Sequence, residues 1–230
     1  FPELQTFGNR ANIFLADKNY DVVIDNQSIS FGMIDIQKSK PLIEIMHHPI
    51  SKDYFYDLKF ARGLVQRLSK IRWFSFLKMQ KKVAKQINVV VTPSLNSKQD
   101  IHHDFKVPMK NIQVIPNGID FNIFCSLPNI LPRANGVITT ASADVPLKGL
   151  DFLLHAIAIL KSEYPDINLT VIGSPRTEGH TERLIKKLKL EDQVSFKTNL
   201  TKEEITHEYA KSSVAVVSSL YEGFGFPVGE

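Results

Sequence analysis

The chain has 230 residues, of which 43% are apolar and 23% charged, and its formal net charge is +4. This composition is typical of a folded globular protein and excludes a fibrous or low-complexity chain. No apolar run approaches the roughly 20 residues that a membrane-spanning helix needs. The single cysteine, Cys125, excludes an internal disulfide and is typical of a reducing compartment, so we expect a cytoplasmic protein.

The first half of the chain alternates apolar strand patterns with helical patterns. Residues 1–18 are compatible with a short helix or an irregular segment. The predicted elements that follow are a strand at 20–25, a helix at 31–38, a strand at 41–46, one long helix or two over 58–87, a strand at 89–92, a helix at 94–105 with an N-cap serine, and a strand at 112–115. This alternation predicts an α/β fold with a parallel sheet.

The alternation lapses between residues 120 and 135, where prolines and asparagines are frequent. We therefore place a first domain at 1–121, a linker at 122–135 and a second domain at 136–230. The second domain repeats the pattern, with strands predicted at 137–141, 168–172, 193–196 and 214–217 and helices at 147–163, 180–189 and 203–211. Its last strand is predicted to be buried, because residues 214–217 are all apolar.

That strand leads into a loop with three glycines and a proline, which lies between two carboxylates, Glu222 and Glu230. Glycines let backbone N–H groups approach an anion closely, because no Cβ intervenes. The carboxyl end of a strand is also where open α/β sheets bind ligands. An ordinary Gly-rich turn is the alternative, but two carboxylates at this spacing favour a functional site.

Residues 222–230 resemble the E-x7-E motif of retaining glycosyltransferases, specifically glycosyltransferase family 4, also called glycosyl transferases group 1. Residues 114–120 resemble the hinge segment of that family, and Lys148-Gly149-Leu150 resembles its donor-phosphate segment. The resemblance implies the GT-B fold, in which two Rossmann-like domains with parallel sheets face each other across a cleft. It also implies more chain before Phe1 and after Glu230, so we expect a fragment in which both domains are incomplete.

The resemblance assigns roles to individual residues. Glu230 would bind the ribose, because a carboxylate accepts two hydrogen bonds from a vicinal diol, and Glu222 would lie near the transferred sugar. His47 would lie against the donor sugar, with His48 as the alternative, since strand alternation lets only one of the two face the cleft. The predicted catalytic residues are Glu222, His47 and Lys148. The predicted donor-binding residues are Glu230, Gly223, Phe224, Gly225, Phe226, Gly173, Ser142, Asn199 and Leu200.

Lys148 is predicted to lie in the first turn of a helix, where free N–H groups and the helix dipole favour an anion. Alone, such a lysine is more often a solvated surface residue. The family usually has an arginine five residues earlier, where this chain has Ala143. One phosphate contact is then missing or supplied elsewhere. The resemblance further implies that Gly173 turns close to the nucleotide, although a plain strand-end glycine is equally compatible, and that residues 196–200 read the base through their backbone.

The expected reaction transfers a sugar from a nucleotide-sugar donor to an acceptor hydroxyl with retention, in glycan, lipopolysaccharide or glycolipid biosynthesis. Charge on the leaving diphosphate would be stabilised by amides and cations. No cofactor and no metal is expected, because the histidine pairs at 47–48 and 102–103 have no Cys or His partner at ligand spacing. The alternatives are another GT-B enzyme, such as a sugar-nucleotide epimerase, and a non-catalytic basic protein that binds membrane or nucleic acid.

No acidic residue occurs between Leu58 and Gln99, and the basic residues there are interleaved with aromatic ones. A helix with one buried apolar face and solvated lysines explains this pattern. Peripheral contact with an anionic membrane through residues 59–85 is the main alternative, and phosphate contacts with nucleic acid are less favoured. The expected partners are therefore a nucleotide-sugar donor and a glycan or lipid-linked acceptor, and nucleic acid is not expected.

Overall fold

The computed structural model describes residues 2–230. The chain divides into two compact units. The first contains the chain up to Asn117 together with Glu222–Phe224, and the second contains Gly118–Tyr221 together with Gly225–Glu230. Each unit consists of a parallel four-stranded sheet with helices in the connections. The fold is therefore α/β with two Rossmann-like units, as the sequence predicts.

The first unit contains a sheet in the order β1-β2-β3-β4, in which all neighbours are parallel. Its strands are β1 (Val23–Asn26), β2 (Leu42–Ile45), β3 (Val90–Thr92) and β4 (Ile112–Val114). Its helices are α1 (Pro2–Leu15), α2 (Gly32–Ser39), α3 (Ser51–Lys59), α4 (Gly63–Trp73), α5 (Leu77–Ala84) and α6 (Leu95–Phe105), with short 3₁₀ helices at Phe74–Phe76 and Met109–Asn111. Fully buried core side chains include Met46, Val83, Ile101, Phe105 and Ile112.

The predicted strands of this unit are confirmed, with ends that differ by at most three residues. The N-cap serine is also confirmed, because Ser94 Oγ accepts a hydrogen bond from the backbone N–H of Ser97 at 3.0 Å. Two helical features differ from the prediction. Helix α3 was not predicted, and no residue of α4 is buried, so its expected apolar core face is wrong. Burial in the 58–87 segment begins only at Phe74 and continues through α5.

The second unit contains a sheet in the order β7-β6-β5-β8, again parallel throughout. Its strands are β5 (Arg133–Thr140), β6 (Asn168–Ile172), β7 (Val194–Lys197) and β8 (Ser212–Ala215). Its helices are α7 (Leu150–Leu160), α8 (His180–Leu188), α9 (Lys202–Ala210) and the short α10 (Phe226–Gly229), with a 3₁₀ helix at Pro146–Lys148. A buried cluster that includes Leu154, Leu169 and Val171 forms the core.

Two predictions for the second unit are corrected. Strand β8 is not buried: it lies at the edge of the sheet, and Val214 is 53% exposed. Helix α7 begins at Leu150 rather than at residue 147, because Gly149 adopts a left-handed conformation with φ 64° and separates the 3₁₀ helix from it. Strand β5 begins at Arg133, within the segment 122–135. The domain limits 1–121, 122–135 and 136–230 stay a prediction.

Two carboxyl side chains lie buried next to each other in the first sheet. Asp25 of β1 and Glu44 of β2 are register partners and are 6% and 0% exposed. Asp25 accepts hydrogen bonds from Ser28 N, Ser28 Oγ and Ile29 N at 2.7–3.1 Å. Burial, followed by the neighbouring Asp25, raises the pKa of Glu44 to about 10, and the backbone N–H of Gln27 opposes this. Glu44 is therefore protonated at neutral pH.

Because Glu44 is buried, we predict that the free energy of unfolding of the first unit falls as the pH rises. Folded Glu44 keeps its proton up to a pKa of about 10, whereas the ordinary value is 4.5. Its stabilising contribution is thus complete below pH 4.5 and is lost progressively towards pH 10. Glu44→Gln, which cannot ionise, should remove a slope of about 1.4 kcal/mol per pH unit over this window. Chemical denaturation at several pH values measures this slope.

A matched control for Glu44→Gln is Glu163→Gln, since Glu163 is exposed. This control should leave the pH dependence of the unfolding free energy unchanged. If Glu44→Gln and the native protein show the same pH dependence, Glu44 does not retain its proton in the folded state.

Candidate functional site

Three loops follow the carboxyl ends of β5, β6 and β8 in the second unit, and the first of them contacts the other two. We call them the β5 loop (residues 141–149), the β6 loop (residues 173–179) and the β8 loop (residues 216–221). Leu220 N donates a hydrogen bond to Leu147 O at 2.8 Å, and Ser218 Oγ donates one to Lys148 O at 3.0 Å. These bonds tie the β8 loop to the β5 loop at the edge of the sheet where parallel α/β folds bind ligands.

Lys148 lies in the β5 loop, at the end of the 3₁₀ helix and two residues before α7. The prediction that it lies in the first turn of that helix is therefore wrong, because the left-handed Gly149 comes between them. A Cβ on Gly149 would overlap the carbonyl oxygen of Ser218, so only glycine fits at this contact. The half-buried Lys148 still directly precedes the N-terminus of α7, where N–H groups lack helical partners.

Asp144 links the β5 loop to the β6 loop and to α8. Its Oδ2 accepts a hydrogen bond from Arg176 N at 2.8 Å, and its Oδ1 accepts one from Thr181 N at 2.8 Å. Thr181 Oγ1 donates a further hydrogen bond to Asp144 Oδ1 at 3.1 Å. Burial raises the pKa of Asp144, but these hydrogen bonds and the positive charge of Arg176 together hold that pKa below its usual value. Asp144 is thus a charged cross-link between two loops.

Only glycine fits at position 173, at the start of the β6 loop, because the backbone there closely approaches another segment of the chain. Its φ is 151°, and a Cβ there would overlap the carbonyl oxygen of Ala141. Gly173 N donates to Lys197 O at 2.9 Å, so the segment after β7 begins beside this loop. Asn199 follows in a left-handed conformation with φ 57°. Predicted residues Ser142, Gly173, Asn199 and Leu200 thus follow the ends of three neighbouring strands.

Glu230 lies directly after α10, a short helix whose N-cap is Gly225 with φ 86°. Its side chain lines a pocket of about 440 Å³ together with Cys125, Thr206 and Tyr209, among others. Burial raises the pKa of Glu230, and the positive charge of Lys202 partly opposes this rise. The sequence indicates a role for Glu230 but does not reveal that residues 124–132 and α9 form its surroundings.

In the first unit, the ends of β1 and β2 hold His47 through polar side chains. His47 Nε2 lies 2.8 Å from Asn26 Oδ1. The Gln27 side chain accepts a hydrogen bond from His47 N at 2.9 Å and donates one to His48 O at 3.2 Å. His48 Nε2 lies 2.7 Å from Asp53 Oδ2 in α3, and its ring is half-buried. His47 is exposed, so it is the more accessible of the two histidines.

Glu222–Phe224 pack beside this histidine within the first unit. Gly223 O accepts hydrogen bonds from Ser94 Oγ at 2.6 Å and from Ser97 Oγ at 3.0 Å. A Cβ on Gly223 would lie 2.6 Å from His47 O, which requires glycine at this position. The structure thus places Gly223 directly against the backbone of His47.

The other predicted site residues belong to the second unit, and several residues that hold the site were not predicted. Lys148, Ser142 and Gly173 lie in its loops, while Gly225, Phe226 and Glu230 surround α10. The unpredicted residues are Asn26, Gln27, Ser94, Ser97, Asp144 and Arg176. In the sequence, the indication of a role for these residues was their position directly after a strand or at the start of a helix.

Within residues 2–230, no group of three or more His, Cys, Asp or Glu is arranged to hold a metal ion. Nor does any helix of the described chain have the length and apolar character needed to cross a membrane.

Two Rossmann-like units, each with a parallel four-stranded sheet, are the architecture of GT-B glycosyltransferases. The family model described as Glycosyltransferase Family 4 matches residues 2–122, and the one described as Glycosyl transferases group 1 matches residues 130–230. The chain therefore belongs to this glycosyltransferase family, and the resemblance found in the sequence is confirmed.

The MMP alpha-(1->4)-mannosyltransferase of Mycolicibacterium hassiacum is 40% identical to the chain over 233 residues. This match covers 100% of the chain and 56% of the relative, so the chain spans about half the length of that protein. Among solved structures, sucrose-phosphate synthase from Thermosynechococcus elongatus has a TM-score of 0.72 at 19% identity, over 97% of this chain and 56% of that one. TarM from S. aureus has a TM-score of 0.63 at 17% identity, over 94% and 41%. These two structures support the fold.

Proposed function

We propose that the protein transfers a mannosyl group from a nucleotide sugar to an acceptor hydroxyl of a glycan, with retention of anomeric configuration. The 40% identity to a mannosyltransferase along the whole chain carries this proposal. The name of that relative specifies an alpha linkage, and mannose nucleotides are α-linked donors, so an α-linked product corresponds to retention.

In this proposal the three loops of the second unit bind the donor. Lys148 and the amides of Gly225 and Phe226 stabilise the charge that develops on the leaving diphosphate, because fixed dipoles and cations act strongly where water is excluded. Glu230 binds the ribose, while Ser142, Gly173, Asn199 and Leu200 contact the rest of the nucleotide. His47 and Glu222 contact the transferred sugar. Lys148 supplies positive charge directly, so the proposed chemistry needs no metal.

The test is an assay of the full-length protein with GDP-mannose, or with UDP-glucose as the contrasting donor, and an α-1,4-linked manno-oligosaccharide acceptor. We expect an elongated glycan from GDP-mannose and none from UDP-glucose, and proton NMR should show a new α-glycosidic linkage. A β-linked product would overturn retention, and absence of transfer from GDP-mannose would overturn the mannosyltransferase proposal. Conversion of the donor into its epimer without an acceptor would favour the epimerase alternative.

We also propose that α4 contacts an anionic membrane surface, which would place a lipid-linked acceptor near the enzyme. Leu64, Leu68 and Ile71 form one stripe of α4 by helical spacing and are 79%, 64% and 44% exposed. Arg67 and Arg72 flank this stripe on its two sides by the same spacing. The region between Leu58 and Gln99 has no acidic residue. An exposed apolar stripe between arginines fits the interface of an anionic bilayer.

Changing Leu64, Leu68 and Ile71 together to serine should lower binding to anionic vesicles by about tenfold. These side chains are exposed, so the triple variant should keep its fold. Co-sedimentation with vesicles of phosphatidylglycerol and phosphatidylcholine, compared with phosphatidylcholine alone, measures the effect. Leu131→Ser, at an 87% exposed position in the second unit, is the control that should bind as the native protein does. Equal binding to both kinds of vesicle by the native protein would refute the membrane contact.

A further inference from the structure

Ala143 is buried and supplies no positive charge to the β5 loop. It is 7% exposed and belongs to the buried cluster of the second unit, together with Leu150 and Leu154. A second cation for a phosphate group would have to come from another position.

Arg176 of the β6 loop lies beside this position. Its backbone N–H donates to the carboxylate of Asp144, the residue that follows Ala143, at 2.8 Å. Its side chain is exposed, and within residues 2–230 the structure shows no ion pair for its guanidinium. Its positive charge nevertheless contributes to lowering the pKa of Asp144. The guanidinium thus lies within electrostatic range of the β5 loop, which also carries Lys148.

The backbone around Arg176 is held in place by further contacts. Gly179 N donates to Arg176 O at 2.7 Å, which closes a tight turn. A Cβ on Gly179 would lie 2.6 Å from Arg176 O and 2.8 Å from Asp144 Oδ2, so this turn packs directly on the cross-link. Asp144 Oδ1 is already engaged by Thr181. The loop is therefore positioned by backbone bonds that do not use the guanidinium.

We propose that Arg176 binds the diphosphate of the donor and replaces the cation that Ala143 does not supply. A guanidinium presents paired donors that match two phosphate oxygens and stays charged at any physiological pH. Together with Lys148, it places a cation on each of two neighbouring loops of the same sheet edge. This inference rests on the proposed function, because it presumes that the second unit binds a nucleotide diphosphate.

The test measures the Kd of GDP and of UDP by calorimetry for the full-length native protein and its variants. Arg176→Ala should weaken binding of whichever nucleotide binds by about tenfold, since one charge-assisted contact is lost. Arg176→Lys should retain part of the affinity. Tm should not change in either variant, because the bond from residue 176 to Asp144 uses the backbone. Arg183→Ala, at an exposed arginine of α8, should bind as the native protein does.

The outcomes separate this inference from the proposed function. If the native protein binds neither GDP nor UDP, the proposed function fails and Arg176 has no donor to bind. If the native protein binds and Arg176→Ala binds equally well, only the role of Arg176 is overturned. If the alanine and lysine variants bind equally weakly and both have a lower Tm, Arg176 acts on the structure of the loop and the proposal is likewise overturned.

Discussion

Lys148→Ala should lower the rate of sugar transfer by about a hundredfold to a thousandfold. The lysine ammonium would face the leaving diphosphate, whose negative charge grows in the transition state, so its loss affects the rate more than the affinity for the donor. The variant keeps the backbone hydrogen bonds at this position: Lys148 N donates to Val145 O at 3.0 Å, and Lys148 O accepts from Ser218 Oγ at 3.0 Å. Initial rates at saturating donor measure the effect, and circular dichroism checks the fold.

The control for Lys148→Ala is Lys186→Ala, at an exposed lysine of α8. This variant loses the same charge from the same unit and should transfer sugar at the native rate. Lys148→Arg should retain part of the activity, because it keeps the charge but changes the reach of the side chain. A native rate in Lys148→Ala, with the fold intact, would exclude a role in stabilising the leaving group.

The sequence predicts all eight strands of the described chain because each is an apolar or β-branched run bounded by turn residues. It does not predict which apolar surfaces are covered. The stripe of Leu64, Leu68 and Ile71 has the spacing of a core helix, but nothing in the structure buries it. Likewise, residues 214–217 form an apolar run, yet β8 lies at the edge of the sheet. The periodicity of the sequence identifies the apolar face of a helix or strand, but only tertiary packing determines whether another part of the protein covers that face.

The loops that carry the sequence motifs follow the ends of strands, whereas the roles of their residues stay predictions. The structure adds that the motif at 222–230 is divided, with Glu222–Phe224 in the first unit and Gly225–Glu230 in the second. The reason is the hydrogen bonding of Gly223 O to Ser94 and Ser97, two serines distant in sequence. Asn26, Gln27 and Asp144 could not be predicted as site residues from the sequence, because polar residues are common in turns and loops of every kind.

Gly149→Ala should destabilise the second unit by about 2–4 kcal/mol. Two causes add at this position. Gly149 has φ 64°, a left-handed conformation that a residue with a Cβ adopts only at a cost. The Cβ would also overlap Ser218 O, so the β8 loop must shift and strain the bond from Leu220 N to Leu147 O. Chemical denaturation of the native and variant proteins measures the loss.

Two other glycines separate these causes. Gly63 has φ 81° but no atom within 4 Å of an added Cβ, so Gly63→Ala should cost only the conformational part, about 1 kcal/mol. Gly118 lacks both features, and Gly118→Ala should change the stability little. If Gly149→Ala costs no more than Gly63→Ala, the contact with Ser218 does not constrain the loop. If it costs more, the same displacement should also move Lys148, so donor affinity and transfer rate should fall with the stability.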